Sequence, residues 1–299
     1  MNVLVVGLLA AGALCVVGFL TPPPAPHPIP RPPAQPRGGT PQWPAPLSPA
    51  ERAFGPGEKI VHEVALNGVQ CGQFQMSLKE AANASGGPPV LVVEFDGYTG
   101  KNIGWLWNYQ TKGASYLDAT TLLPEFTERL VTKKGKSTRT RMMFHRSEST
   151  AEVIIEKLYK KKTTTLQVPF KLGLDVPSFI VHLRAVSLLE GKTATLELLE
   201  GDKVYSLTLT PGETGVVDVK AGRFEAQSVT IQPRLVAHVG HDASEDEEDE
   251  GEYKSIQCWI AKERRLPVKF EIETAIGSIR SELASVEPSV QAADDKTKP

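Results

Sequence analysis

Apolar and polar residues alternate most regularly near the C-terminal end of the chain, from Ile256 to Leu283. In the middle of that stretch Leu266, Val268, Phe270 and Ile272 fall on one side, and Pro267, Lys269, Glu271 and Glu273 on the other. A period of two predicts a strand with one buried face. The flanking segments, from Ile256 to Ala261 and from Ser278 to Leu283, repeat the pattern across two short polar or glycine-containing breaks. Three such strands cannot bury their apolar faces on one another, so they need partners from elsewhere in the chain.

The chain supplies those partners. Ile60, His62, Val64 and Leu66 share a face of a strand ending at Asn67-Gly68, a strong two-residue hairpin signal. The return strand carries Val69, Cys71, Phe74, Met76 and Leu78, and Gly72 shifts its phase as a β-bulge does. Strands are predicted at Val90–Phe95 and at Trp105–Thr111, where Trp105, Trp107 and Tyr109 share a face. Pro124–His145 and Ala151–Val168 read as hairpins turning at Lys133–Lys136 and Lys160–Lys162. Lysines at such tips keep loops and edges soluble; contact with lipid phosphate or an anionic polymer is the functional alternative. Further strands are expected at Thr193–Leu199 and Val204–Thr210, followed by a hairpin of Val216–Lys220 with Phe224–Gln232.

Helical spacing occurs once, over Asp175–Leu189. Asp175 is the predicted N-cap, Pro177 lies just inside, and Phe179, Ile180, Leu183, Val186 and Leu188 form an apolar stripe that Gly191 ends. The predicted fold class is mainly β, a strongly curved antiparallel sheet or incomplete β-barrel with one packed α-helix.

The pattern divides the 299 residues into four parts. Residues 1–21 hold an uncharged run, Val3–Leu20, long enough to enter a bilayer. It reads as an inner-membrane anchor or as a cleaved export signal, and either places the protein in the periplasm. Residues 22–52 are a proline-rich disordered spacer, with 13 prolines between positions 22 and 49. Proline fixes φ and donates no hydrogen bond, so this stretch favours extended polyproline II. Residues 53–286 form a single β-rich domain, and 287–299 a disordered polar tail.

Net charge is −2, but eight of the acids lie between Asp242 and Glu252. The remainder, 33 basic against 27 acidic residues, is mildly basic and lacks the clustered footprint of a nucleic-acid binder. Cys71 and Cys258 are the candidate disulfide; the alternative is two small buried thiols. His238, His241 and Asp242 could meet a divalent cation, but their charged-loop setting reads as solvated, and no metal or cofactor is predicted. Gly135-Lys136-Ser137 and Gly191-Lys192-Thr193 lack the earlier glycine of a phosphate loop. No nucleophile elbow or carboxylate dyad is present in the sequence, so no catalytic residue is assigned. An enzyme would need His62, His145, Cys71 or carboxylates brought together in a cleft.

Several short motifs are shared with one family. They are Cys258-Trp259-Ile260, Arg264-Arg265-Leu266-Pro267-Val268, Ile276-Gly277-Ser278-Ile279, Gly57-Glu58-Lys59-Ile60, Tyr116-Leu117-Asp118 and Ala221-Gly222-Arg223-Phe224. With them the chain resembles the domain-of-unknown-function 3108 family of exported bacterial proteins over nearly all of residues 55–285. The resemblance implies an exported β-rich domain and no reaction. The expectation is a non-catalytic envelope protein binding a lipid-like or other apolar ligand on the concave face of the sheet, with Trp105, Trp107 and Tyr109 facing it. The alternative is an assembly or scaffold module that meets an envelope protein partner.

Overall fold

The structure is a computed structural model, and it describes residues 46–48, 51–82, 89–100, 108–185, 192–240, 255–274 and 277–289. The run Val3–Leu20, the proline-rich residues before 46, Trp105, Trp107, the helical stretch beyond 185, the acidic residues 242–252 and the tail from 290 lie outside the described residues.

Among the described residues fourteen strands form one sheet. They are β1 (Lys59–Leu66), β2 (Val69–Ala81), β3 (Val90–Thr99), β4 (Tyr109–Asp118), β5 (Pro124–Lys133), β6 (Lys136–His145), β7 (Thr150–Lys157), β8 (Lys162–Pro169), β9 (Ala194–Glu200), β10 (Lys203–Val219), β11 (Gly222–His238), β12 (Ile256–Ala261), β13 (Pro267–Thr274) and β14 (Gly277–Glu287). The helix α1 (Val176–Ala185) stands between β8 and β9 in the chain. All neighbouring strands pair antiparallel, and β1 pairs with both β2 and β14. The two ends of the chain therefore meet in the middle of the sheet, and its two edges, β8 and β9, come from the middle of the chain.

This order explains the C-terminal pattern. The apolar sides of β12, β13 and β14 join those of β1 and β2 in one core with Ile60, Phe74, Met76, Cys258, Val268, Phe270 and Leu283. Asn67 and Gly68 take φ of 50° and 81°, the left-handed values that a tight hairpin turn requires. The register slips opposite Cys71, so the bulge lies where Gly72 predicts it.

The sheet does not close into a barrel; α1 packs against β3, β4 and the edge strand β9. Every helical residue except Val176 is buried. Asp175 accepts from the Ser178 backbone N–H at 2.8 Å, and Ser178 Oγ accepts from the Asp175 N–H at 2.9 Å, a reciprocal cap that starts the helix at the predicted residue. The segment before it straddles the gap. Phe170 N–H extends the β7–β8 ladder to Ser149 O, and Leu174 makes a parallel bridge to Leu198 of β9. Glu197 holds this segment by accepting from the backbone N–H groups of Lys171, Leu172 and Gly173 at 2.6, 3.0 and 3.2 Å. Arg146 lies between the Phe144 and Phe170 rings and donates to the carbonyls of Pro124, Leu172 and Gly173. A second core, Met142, Phe144, Val153, Val168 and Phe170 against Leu199 and Val204, lets the edges stack face to face where they do not hydrogen-bond.

Two expectations change. The segments Val204–Thr210 and Val216–Lys220 belong to one long strand, β10, which continues through Pro211 at an irregularity before Thr214. Residues up to Asp118 extend the strand expected at Trp105–Thr111; Gly113 allows this, because a Cβ there would strike the Glu128 carbonyl and the Phe95 ring.

Candidate ligand site at the helix N-terminus

Most of the sheet turns apolar side chains inward, but the middles of β4, β5 and β6 do not. Thr111 and Ser115 of β4, Thr127 and Arg129 of β5, and Thr140 of β6 take alternate positions on the side facing α1. They meet two carboxylates: Asp175, the helix cap, and Glu200, at the end of β9. Thr127 Oγ1 donates to Asp175 Oδ2 and lies 3.3 Å from Ser115 Oγ. Arg129 is ion-paired with Glu200. Burial works against the Arg129 charge, and Glu200, Tyr109 and Asp175 outweigh it, holding the guanidinium above the ordinary arginine value.

Between this polar floor and the helix is a cavity of about 40 Å³, closed on its other side by Phe74, Phe95, Met142, Val176, Pro177 and Ile180. A water needs roughly 10–15 Å³ by such a measure, so the space is real but small. Among the described residues α1 thus leaves little space over the middles of β4, β5 and β6. Thr111 Oγ1 faces the cavity, is buried, and has no hydrogen-bond partner among the described residues. A buried hydroxyl left unpaired costs about 1–3 kcal/mol, so such a group calls for an explanation.

Of the three predicted aromatic residues, Tyr109 lines this cavity, and Trp105 and Trp107 lie outside the described residues. Cys71 and Cys258 are free thiols. They lie on β2 and β12, with β1, β14 and β13 between them in the sheet, so the candidate disulfide gives way to two buried thiols. Burial pushes the Cys71 thiol up to about 11 and that of Cys258 up as well, which makes both poor nucleophiles. His62 is buried against Phe270, with Nδ1 3.3 Å from Ser281 Oγ. His145 is at the exposed end of β6, so His62, His145 and Cys71 are not gathered. His238 Nε2 is 3.3 Å from Asp202 Oδ2, and its supposed companions His241 and Asp242 lie outside the described residues. Among the described residues no three His, Cys, Asp or Glu side chains are grouped to hold a metal ion.

Sequence reasoning missed Thr111, Thr127, Arg129, Asp175 as a site residue, and Glu200. The only signal was the odd phase of β4 and β5, where polar residues alternate with a mixed set. On the outside of the same strands Tyr116, Phe126, Lys112 and Glu128 border a wide hollow of about 650 Å³. It is open to solvent, and much of its charge is already matched, by Lys79–Glu94, Gln75–Asp96 and Arg139–Glu156. The inner cavity is the better candidate site.

Three solved structures and one family are similar to this chain. The chain aligns with a β-barrel-like protein of domain of unknown function DUF1849 from Brucella abortus at TM-score 0.51 and 12% identity, covering 79% of this chain and 98% of that one. A protein from Bacteroides fragilis described as a "putative exported protein with YmcC-like fold" aligns at TM-score 0.30 and 8% identity, over 82% of this chain and 99% of its own. A "putative lipoprotein" from Parabacteroides distasonis gives TM-score 0.31 and 11% identity, over 81% and 99%. No curated protein matches. Residues 61–284 match the family described as protein of unknown function, DUF3108, and the chain belongs to that family.

Proposed function

We propose that the protein is an exported, non-catalytic component of the bacterial cell envelope that holds a lipid-like amphiphile between α1 and the inner face of β2–β6. The observation that carries this reading is the unpartnered Thr111 hydroxyl on a cavity with a polar end at Arg129 and Glu200 and an apolar side at Phe74, Phe95, Met142 and Ile180. A polar group of the ligand bonds to Thr111 and sits beside the ion pair, while its apolar part follows the helix. The cavity of about 40 Å³ admits only a chain end, so a longer chain shifts the first turn of α1 outward. Export rests on the uncharged run Val3–Leu20. The non-catalytic reading rests on how the carboxylates are used: Asp175 accepts from Ser178 and Thr127, and Glu200 is tied to Arg129.

Native mass spectrometry of the full chain, purified in mild detergent, tests the proposal. The expected result is a co-purifying species of amphiphile mass that Ile180→Trp, which fills the cavity, removes. A bare protein mass before and after that substitution overturns it. The scaffold alternative predicts the same bare mass together with a protein partner trapped by crosslinking in cells.

A further inference from the structure

Two basic turns that are far apart in the sequence are neighbours in the fold. Both the β5–β6 and the β7–β8 connections emerge at the same end of the sheet, because β6 pairs with β5 on one side and β7 on the other. Lys133, Lys134 and Lys136 belong to the first, and Lys157, Lys160, Lys161 and Lys162 to the second. Neither turn carries an acid: none occurs from Arg129 to Ser147 or from Lys157 to Leu174. The nearest carboxylate on these strands, Glu156, is committed to Arg139 and Arg141. Between the lysines stand two large side chains, Leu158 at 42% and Tyr159 at 43% exposure. Lys136 Nζ and Lys160 Nζ lie 5.5 and 5.9 Å from the Tyr159 ring centre, one from each turn, so this ring joins the two into one surface. Lys134 and Lys161 take φ of 49° and 50°, backbone positions that favour glycine or asparagine. The chain therefore keeps a lysine at both tips against local preference.

From this patch we infer that the lysine-rich end of the sheet docks on an anionic lipid bilayer, with Leu158 and Tyr159 entering the headgroup layer. A soluble protein does not need an exposed leucine and tyrosine among these lysines, whereas a membrane interface takes both: lysines pair with lipid phosphates, and an amphipathic ring and an aliphatic chain sit at headgroup depth. A free polyanion would use the charge and leave Leu158 unexplained. The patch is also oriented. Leu47 and Arg52, where the proline-rich stretch joins the body, are held by Ala185, Ala119 and Thr120, beyond the opposite end of β4 and β5. The lysine tips thus point away from the entry of the N-terminal stretch. The eight acids of residues 242–252 stand between β11 and β12 in the chain, so the test uses the full chain, which keeps them.

The experiment attaches an environment-sensitive dye at Leu158→Cys in a chain with Cys15→Ala; the buried thiols of Cys71 and Cys258 resist labelling at neutral pH. Emission is read on vesicles of phosphatidylcholine, with and without phosphatidylglycerol. The expected result is a blue shift on the anionic vesicles only. Replacing Lys134, Lys136, Lys160 and Lys161 by Gln should weaken it by roughly five-fold per lysine, several-hundred-fold together. Replacing Lys59, Lys79, Lys220 and Lys262 by Gln, at the other end, should leave it unchanged. Equal shifts on both vesicle types, or equal losses in the two lysine sets, overturn the inference. So does binding to heparin or soluble glycerophosphate of the same strength, unaffected by Tyr159→Ser, which would identify a polyanion or free phosphate.

Discussion

Two arginine–glutamate pairs flank the helix, and they differ in how completely their surroundings satisfy them. Arg184, on α1, is fully enclosed; it reaches both Glu58 oxygens at 2.5 and 3.2 Å, donates to the carbonyls of Arg264 and Arg265, and lies 4.6 Å from the centre of the Phe54 ring. Arg264 adds a further contact to Glu58 at 3.2 Å. Arg129, by contrast, keeps 27% of its side chain exposed and borders a cavity that contains an unpaired hydroxyl. A buried polar network in which every member is paired fixes the structure, whereas one left incomplete is where a ligand can contribute bonds. The first pair anchors α1 to the start of β1, and the second belongs to the candidate site.

The largest expected effect breaks the closed pair. Arg184→Met strands Glu58, which is 1% exposed, with only Arg264 to answer its charge, and should cost about 3–5 kcal/mol in urea unfolding. Adding Glu58→Leu should recover most of that loss, because a well-packed apolar pair replaces a charged one at little cost. A loss below about 1 kcal/mol for the single variant would show that the pair does not anchor the helix.

Acid should reach the closed side next. Burial pushes both His62 and His182 down to about 4, and for His182 the nearby Arg52 and Arg146 add to the effect. Their ordinary value is near 6.5, so the unfolded chain takes up protons that the folded protein refuses. Stability should therefore be level above about pH 7 and fall as pH drops from about 6.5 towards 4, by about 3 kcal/mol per histidine at full effect. Carboxylates contribute mainly below about pH 5, which leaves the interval from about 5 to 6.5 diagnostic. His182→Gln should remove about half of the slope there, with His62 keeping the rest; curves that superimpose on the parent would refute the assignment.

On the open side the effect shrinks. Arg129→Met leaves Glu200 beside a partly exposed position, so the cost should be about 1–2 kcal/mol, well short of that for Arg184→Met. Equal costs for the two substitutions would erase the distinction between the pairs.

The closed side was the more legible from sequence. Alternation placed β1, β2 and β12–β14 with their faces correctly assigned, Asn67-Gly68 and Gly72 gave a turn and a bulge, and Asp175 gave the start of the helix. All of these are local signals. The open side inverts the rule on which such reading depends. In β4, Ala114 and Tyr116 face outward while Thr111 and Ser115 face inward, and in β5 Phe126 lies outside and Thr127 inside. Hydrophobicity alone selects the wrong face there, so the pattern that marks a core conceals a polar site. Glu200 and Arg129 are 71 positions apart, and only the passage of the edge strand β9 over the interior strand β5 brings them together. The long β10 was hidden by Pro211-Gly212, which reads as a break in sequence and is accommodated as an irregularity in pairing.

The smallest effect is the most discriminating, because its sign separates structure from function. Thr111→Val keeps the shape of the side chain and removes the hydroxyl that lacks a partner among the described residues. If the Thr111 hydroxyl were paired in the ligand-free protein, losing its oxygen would be harmful. If it is held ready for a ligand, the ligand-free protein should gain about 1 kcal/mol, since the cost of an unsatisfied buried hydroxyl disappears. The same substitution should reduce the co-purifying species seen by native mass spectrometry. Stability and binding would then move in opposite directions, as they do where a site is kept at the expense of the fold. Ser115→Ala provides the contrast: its hydroxyl already faces Thr127, so removing it should lower stability by about 1 kcal/mol and leave the retained ligand in place. A Thr111→Val protein that is less stable than the parent, with ligand retention unchanged, would return the cavity to ordinary packing.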